Sequence, residues 1–180
     1  TLIMHTNPED SQGTNLLEIA KNLDILDNVC FSDQTATYEQ INVLHNISDV
    51  CLNISYAEGF GLTTLESMQV GNPIIATATG GLTSQVIDCK DGSHNGIPLT
   101  PKIKTLSGSQ SVHYIYEDYA SVEDTAYALV KMYEMGSKKR KELGQKCKKY
   151  AEREFDYENM IKSWDKEIEH TLATWKENYN

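Results

Sequence analysis

Ser55-Tyr-Ala-Glu-Gly-Phe-Gly-Leu-Thr-Thr-Leu-Glu-Ser-Met-Gln-Val-Gly-Asn-Pro73 lies between two apolar runs. Asp49 to Ile54, apolar at Val50, Leu52 and Ile54, reads as a strand, and Pro73 to Thr77 reads as a second one. Between them a helix is expected to start near Gly61 and stop at Gly71. Leu62, Leu65 and Met68 recur at helical spacing and would face a sheet. Gly71 suits the left-handed residue that ends a helix, and Pro73 prevents the helix from resuming. The result is a strand–loop–helix–strand unit whose loop is Glu58-Gly-Phe-Gly61. Such units build an α/β fold with a parallel sheet flanked by helices.

Chemistry is expected at that loop, because open parallel sheets bind ligands at the carboxyl ends of their strands. Its two glycines allow a close backbone approach, and the helix behind offers unpaired N–H groups to a phosphate. Glu58 stands at the same mouth and would repel a phosphate. An ionised carboxylate accepts hydrogen bonds only, so hydroxyl groups are its natural partner. Glu66 follows inside the helix, with Thr63 three residues behind it on the same side. Two carboxylates flanking a phosphate-type helix start match a ligand with two hydroxyl-rich parts and a phosphate between them. A nucleotide-diphosphate sugar has this layout.

The ordered set of residues resembles the retaining glycosyltransferases of family 4 (group 1). It comprises Asp49-Val and Ser55, then Glu58-Gly-Phe-Gly-Leu-x-x-Leu-Glu66, then Met68-x-x-Gly71-x-Pro73-x-Ile75-Ala-Thr77-x-x-Gly80-Gly81. The resemblance implies the C-terminal, donor-binding half of a GT-B fold, in which two Rossmann-like domains face a cleft. It implies that residues 1–155 form a Rossmann-like nucleotide-sugar-binding domain lacking its first strand. Residues 156–180 would form a C-terminal helix that packs toward an absent N-terminal domain. By the same resemblance Glu58 is the catalytic candidate and would hold hydroxyls of the donor sugar. Gly59, Phe60, Gly61, Leu62 and Thr63 would bind sugar and phosphates, largely through backbone N–H groups. Glu66 would hold the ribose, Gly80 and Gly81 would approach the ligand, and Ser32 would lie beside the nucleobase.

The implied donor is a uridine-diphosphate sugar, with a guanosine-diphosphate sugar second. The implied acceptor is a hydroxyl of a carbohydrate or a lipid-linked glycan, reached through the absent domain. No cofactor and no metal is expected, for there is no Asp-x-Asp signature. Two features of the family are not matched. The arginine and lysine that usually meet the leaving pyrophosphate cannot be placed, and Thr83-Ser84 stand where a Pro-Glu pair is usual. The chain therefore reads as a piece of a longer enzyme that is inactive alone. A non-catalytic nucleotide- or sugar-binding module is the alternative.

Composition excludes other classes. The chain has 180 residues, 39% hydrophobic and 23% charged, which suits a globular domain and not a disordered one. A formal charge of −10 argues against nucleic acid as a partner. It also opposes a diphosphate, so the field at the site must differ from the net one. Cys30, Cys51, Cys89 and Cys147 show no paired spacing. Cys30 and Cys51 read as buried thiols. With no signal peptide or membrane-length apolar run, a reducing, cytoplasmic setting is expected.

Around the central unit, Thr1 to His5 reads as a strand with His5 at its end, and Asn15 to Leu26 as an amphipathic helix. Asn28 to Phe31 reads as a strand. Thr37 is expected to cap a helix to Ile47 that packs Tyr38, Ile41, Leu44 and His45 or Ile47. Gly80-Gly81 opens a helix over Leu82 to Ile87, and Ile97 to Leu99 is extended. Pro101 to Gln110 reads as an insertion or mobile loop with Lys102 and Lys104 as solvated charges, followed by a strand over Val112 to Tyr116. Ser121-Val-Glu-Asp124 has the capping-box form, and Gly136 ends the helix it starts. Lys138 to Lys141 and Lys146 to Lys149 read as a solvated helix face, with peripheral membrane contact left open. Tyr157 to Trp175 is expected to be helical, with an apolar stripe at Met160, Ile161, Trp164, Ile168 and Leu172.

Overall fold

The computed structural model describes residues 1–11 and 13–179, with side chains as far as residue 175. Two compact units divide between Ile41 and Asn42.

In the first unit β1 (Leu2–Met4) pairs in parallel with β2 (Val29–Phe31), Leu2 opposite Val29 and Met4 opposite Phe31. Helix α1 (Leu16–Asn22) lies between them in sequence, its N-terminus capped by Asn15, which accepts from the Glu18 N–H at 2.9 Å. α1 is shorter than the apolar period predicts. Asp24 takes a left-handed φ of 55° and closes the end with N–H bonds from Asp24 to Lys21 and from Ile25 to Ala20. Leu26–Asn28 then form a short 3-10 turn instead of the helix's last residues. Cys30 is exposed, a correction to its reading as buried. A two-stranded ladder has too few neighbours to cover both faces of β2. His5 is exposed, and its Nδ1 lies 3.0 Å from the Ser32 hydroxyl.

Helix α2 (Tyr38–Ile47) begins with a reciprocal cap: Thr37 N–H donates to Gln40 Oε1 at 2.8 Å, and Gln40 N–H to Thr37 Oγ1 at 3.4 Å. Its packed side is Ile41, Leu44 and His45; Tyr38 and Ile47, expected on that side, are exposed.

The second unit holds a parallel sheet in the order β3 (Cys51–Asn53), β4 (Ile74–Thr77), β5 (Gly96–Leu99). Helix α3 (Leu62–Val70) connects β3 to β4, and α4 (Gly80–Val86) follows β4. The predicted breakers do their work: Gly61 and Gly71 bound α3 with φ of 91° and 94°. β4 is wholly buried, as a central parallel strand covered on both faces must be. One face of the core joins Ile74 and Ala76 to Met68, Leu82, Val86, Cys147 and Tyr150. The other joins Ile75 and Leu99 to Ala128 and Met132.

The segment read as a loop is a hairpin. β6 (Ile103–Ser107) pairs antiparallel with β7 (Ile115–Tyr119), Ile103 opposite Tyr119. β7 starts three residues later than predicted, because Ser109 N–H donates to Val112 O at 2.6 Å and shapes the tip. Lys102 and Lys104 are paired, with Asp124 at 2.9 Å and Asp118 at 3.5 Å. The Lys102 ammonium beside it holds the Asp124 carboxyl below its ordinary range.

Three helices complete the unit. In α5 (Val122–Glu134) Ser121 accepts from the Asp124 N–H at 3.0 Å, as its capping form predicts. α6 (Gly136–Glu154) follows with no loop, since Gly136 at φ 77° redirects the chain. α7 (Tyr157–Tyr179) leaves Met160, Ile161, Trp164, Ile168 and Leu172 exposed. Among the described residues no helix is long and apolar enough to cross a membrane.

α6 touches the α3–β4 turn backbone to backbone. A Cβ built on Gly144 would stand 1.8 Å from the Gly71 carbonyl oxygen. Glycine to alanine stabilises an exposed helix interior by roughly 1 kcal/mol. At Gly144 we expect the opposite sign: Gly144→Ala should destabilise by about 1–3 kcal/mol as α6 is pushed off the sheet. Chemical denaturation checks this, and a stabilised variant would contradict the packing.

Candidate donor site

The loop from β3 to α3 is shaped by side chains that lie elsewhere in the sequence. Asn53 opens it: its Oδ1 accepts from the Ser55 N–H at 3.0 Å and its Nδ2 donates to buried Thr64 Oγ1 at 3.1 Å. At the far end no side chain caps α3. Instead the fully buried Gln85 of α4 donates from Nε2 to the carbonyls of Phe60 at 2.6 Å and Gly61 at 3.2 Å. The first helical bond of α3 runs from Leu65 N–H to Gly61 O at 3.1 Å, so the N–H groups of Leu62, Thr63 and Thr64 precede the helical ladder.

Gly80 and Gly81 close the loop from beneath. A Cβ at Gly80 would meet the Glu58 carbonyl oxygen at 1.8 Å, and one at Gly81 would meet the Phe60 Cα at 2.6 Å. The space that these glycines leave is filled by the Glu58–Phe60 backbone. The candidate residues Glu58, Gly59, Phe60, Gly61, Leu62 and Thr63 are thus brought together with Gly80 and Gly81. Ser32 belongs to the first unit, where its hydroxyl meets His5.

Three further contacts hold the loop. Phe60 packs edge-on against Phe155 at the end of α6, ring centroids 5.6 Å apart. Tyr56 stacks on Tyr119 of β7 at 4.1 Å. Asp118 of β7 donates its N–H to Tyr56 O at 2.7 Å, while its Oδ2 accepts from Thr79 Oγ1 at 2.8 Å. The hairpin therefore ties together the loops that leave β3 and β4.

The two carboxylates differ. Glu58 is half-buried, and among the described residues its carboxylate has no hydrogen-bond or ion-pair partner. Glu66, half-exposed, has its Oε2 3.5 Å from Nε2 of His45. Behind the loop, Arg153 donates to both oxygens of Asp88, at 2.8 and 2.7 Å, and holds that carboxyl below its ordinary range. Among the described residues no cluster of His, Cys, Asp or Glu is arranged to hold a metal ion.

Gln85 and Asp118 escape the sequence reading. Gln85 leaves a trace there, since it shares the buried side of α4 with Leu82 and Val86, at helical spacing. A polar residue in such a stripe needs partners. Asp118 leaves none.

A profile of the family described as "Glycosyl transferases group 1" matches residues 10–106, more than half of the chain. A D-inositol 3-phosphate glycosyltransferase of Salinispora arenicola is 37% identical over 95 residues, 51% of this chain and 21% of that protein. The solved sucrose-phosphate synthase of Thermosynechococcus elongatus superposes with a TM-score of 0.69 at 23% identity, over 96% of this chain and 38% of that one. HepE of Anabaena, solved in complex with UDP, superposes with a TM-score of 0.58 at 20% identity, over 88% and 36%. The chain thus spans well under half the length of each of these proteins.

Gln85→Leu removes both bonds to the loop and strands the Phe60 carbonyl, while Gly61 O keeps only the Leu65 N–H. We expect a stability loss of about 1–3 kcal/mol, with the Phe60–Phe155 contact loosened. Denaturation, with hydrogen exchange at Leu65, whose N–H bonds to Gly61 O, checks this; unchanged exchange there would show that Gln85 does not hold the loop.

Proposed function

The chain belongs to the glycosyl transferases group 1, and on that premise we propose that it is the donor-binding domain of a retaining glycosyltransferase. The whole enzyme moves a sugar from a nucleotide-diphosphate sugar to a hydroxyl of a carbohydrate or lipid-linked acceptor. One observation carries this reading. Glu58, a half-buried carboxylate without a partner among the described residues, sits on a pinned loop that leads into an uncapped helix start.

Glu58 accepts hydrogen bonds from the donor sugar's hydroxyls and orients the ring. As the glycosidic C–O bond breaks, positive charge develops at the anomeric centre, and a fixed carboxylate close by favours it. The electron pair leaves with the diphosphate, whose growing charge is taken up by the N–H groups of Leu62, Thr63 and Thr64 and the positive end of α3. Because Gln85 and the two glycines hold these donors in place, little reorganisation is needed at that moment. Nothing in the geometry calls for Glu58 to be a nucleophile. Glu66, one turn deeper, takes the ribose hydroxyls. UDP is the favoured nucleotide, in line with the complex that HepE forms. No metal takes part, since the helix terminus supplies the positive charge.

In the enzyme that carries this domain, Glu58→Gln should lower kcat by roughly 100-fold or more with donor affinity less affected. Steady-state kinetics decides it, and near-normal turnover would remove Glu58 from the mechanism. Glu66→Ala should instead raise the donor KM. Activity should also survive a chelator; a rate abolished by chelation and restored by manganese would contradict the metal-free reading.

A further inference from the structure

His45 has no assigned role, yet it lies beside Glu66 with a buried polar atom left open. Its side chain is 12% exposed, and its Nε2 is buried without a hydrogen bond, 3.5 Å from Glu66 Oε2. The backbone at His45 is tied down. The His45 carbonyl accepts from Asn72 Nδ2 at 2.6 Å and from the Ser48 N–H at 3.2 Å. Asn72 sits in the turn after α3 and also donates to Ser67 Oγ at 3.3 Å. The last turn of α2 is therefore tied to the same helix that carries Glu66. Glu66 is the movable member: its side chain is 46% exposed and rotates about three bonds.

A buried ring nitrogen without a partner is costly, and a half-exposed carboxylate has many orientations in water. One small rotation of Glu66 solves both problems by bringing Oε2 into hydrogen-bond range of a protonated Nε2. The other oxygen of the carboxylate is then turned outward with its lone pairs unused.

Resting on the ribose role proposed for Glu66, we propose that His45 is a positioning residue for nucleotide binding: its Nε2–H holds Glu66 Oε2 so that the carboxylate meets the two ribose hydroxyls in one orientation. His45 touches no substrate. Its effect is confined to the part of the affinity that depends on those hydroxyls.

The test compares UDP with 2′,3′-dideoxy-UDP, which lacks both hydroxyls, by calorimetric titration of this chain; GDP and its dideoxy analogue replace them if GDP binds more tightly. Wild type should prefer the ribonucleotide. His45→Ala should shrink that preference by about three- to tenfold, leave the dideoxy affinity unchanged, and unfold at the wild-type denaturant concentration. His45→Gln, which can place an amide donor near the same point, should restore part of it. Full preference in His45→Ala, with preference lost in Glu66→Ala, would overturn the role of His45 and leave the ribose role standing. Equal weakening of both nucleotides in His45→Ala would show a purely structural residue and overturn it too. No preference in wild type, no binding of either nucleotide, or a preference that survives Glu66→Ala would overturn the ribose role, and this proposal with it.

Discussion

The amide of Gln85 on the carbonyls of Phe60 and Gly61 is the constraint from which the candidate site follows. The chain must leave β3, cross a short loop and enter α3 with no side-chain cap. A cap would satisfy the first N–H groups and remove them from use. Gln85 fixes the same reversal from the carbonyl side and leaves the N–H groups unspent. That solution requires Gly61, since its φ of 91° is strained for any residue with a Cβ. It also requires α4 to start beneath the loop, which only the Gly80-Gly81 pair permits.

Stability and site share their supports. Tyr150 of α6 is buried with Met68 and Ile74 in the core, and its hydroxyl donates to the Ser84 carbonyl in α4. Its ring meets Phe155, which in turn packs on Phe60. One helix thus fills the core, steadies α4 and backs the loop aromatic. β7 does the corresponding work on the other side through Asp118 and Tyr119. A side chain removed from either support disturbs the loop as well as the fold.

What could be read from the sequence follows the range of the physics involved. The β3–α3–β4 unit is legible because its breakers act locally: Gly71 and Pro73 end α3 whatever surrounds them. The cap at Ser121 and the reciprocal cap at Thr37 are local in the same way. Glu58 and Glu66 are legible through a pattern of neighbours. Gln85 is not, since its partners lie 24 and 25 residues away. The hairpin hides because Lys102 and Lys104 suggest solvent, whereas their partners Asp124 and Asp118 come from later elements. α1 runs long in the reading because Leu26 keeps the apolar period after Asp24 has already turned the chain. Cys30 misleads because an apolar run does not say how many neighbours its strand will have.

A chain of formal charge −10 is an unpromising host for a diphosphate. The arrangement of its carboxylates reduces the conflict. Asp118 is occupied by Thr79 and lies near Lys104, Asp88 is held by Arg153, and Asp124 is paired with Lys102. These acids spend their charge on structure close to where they stand. Among the half-buried carboxylates of the described residues Glu58 is the exception, and its position at the mouth of the loop gives the exception a meaning. An anion left without a partner in a half-buried place is costly to the free protein. On the proposed reading, hydroxyl groups or a developing cation offset that cost. The same loop leaves N–H groups unspent, and the two halves of the proposed ligand, sugar and diphosphate, are the most economical explanation of both.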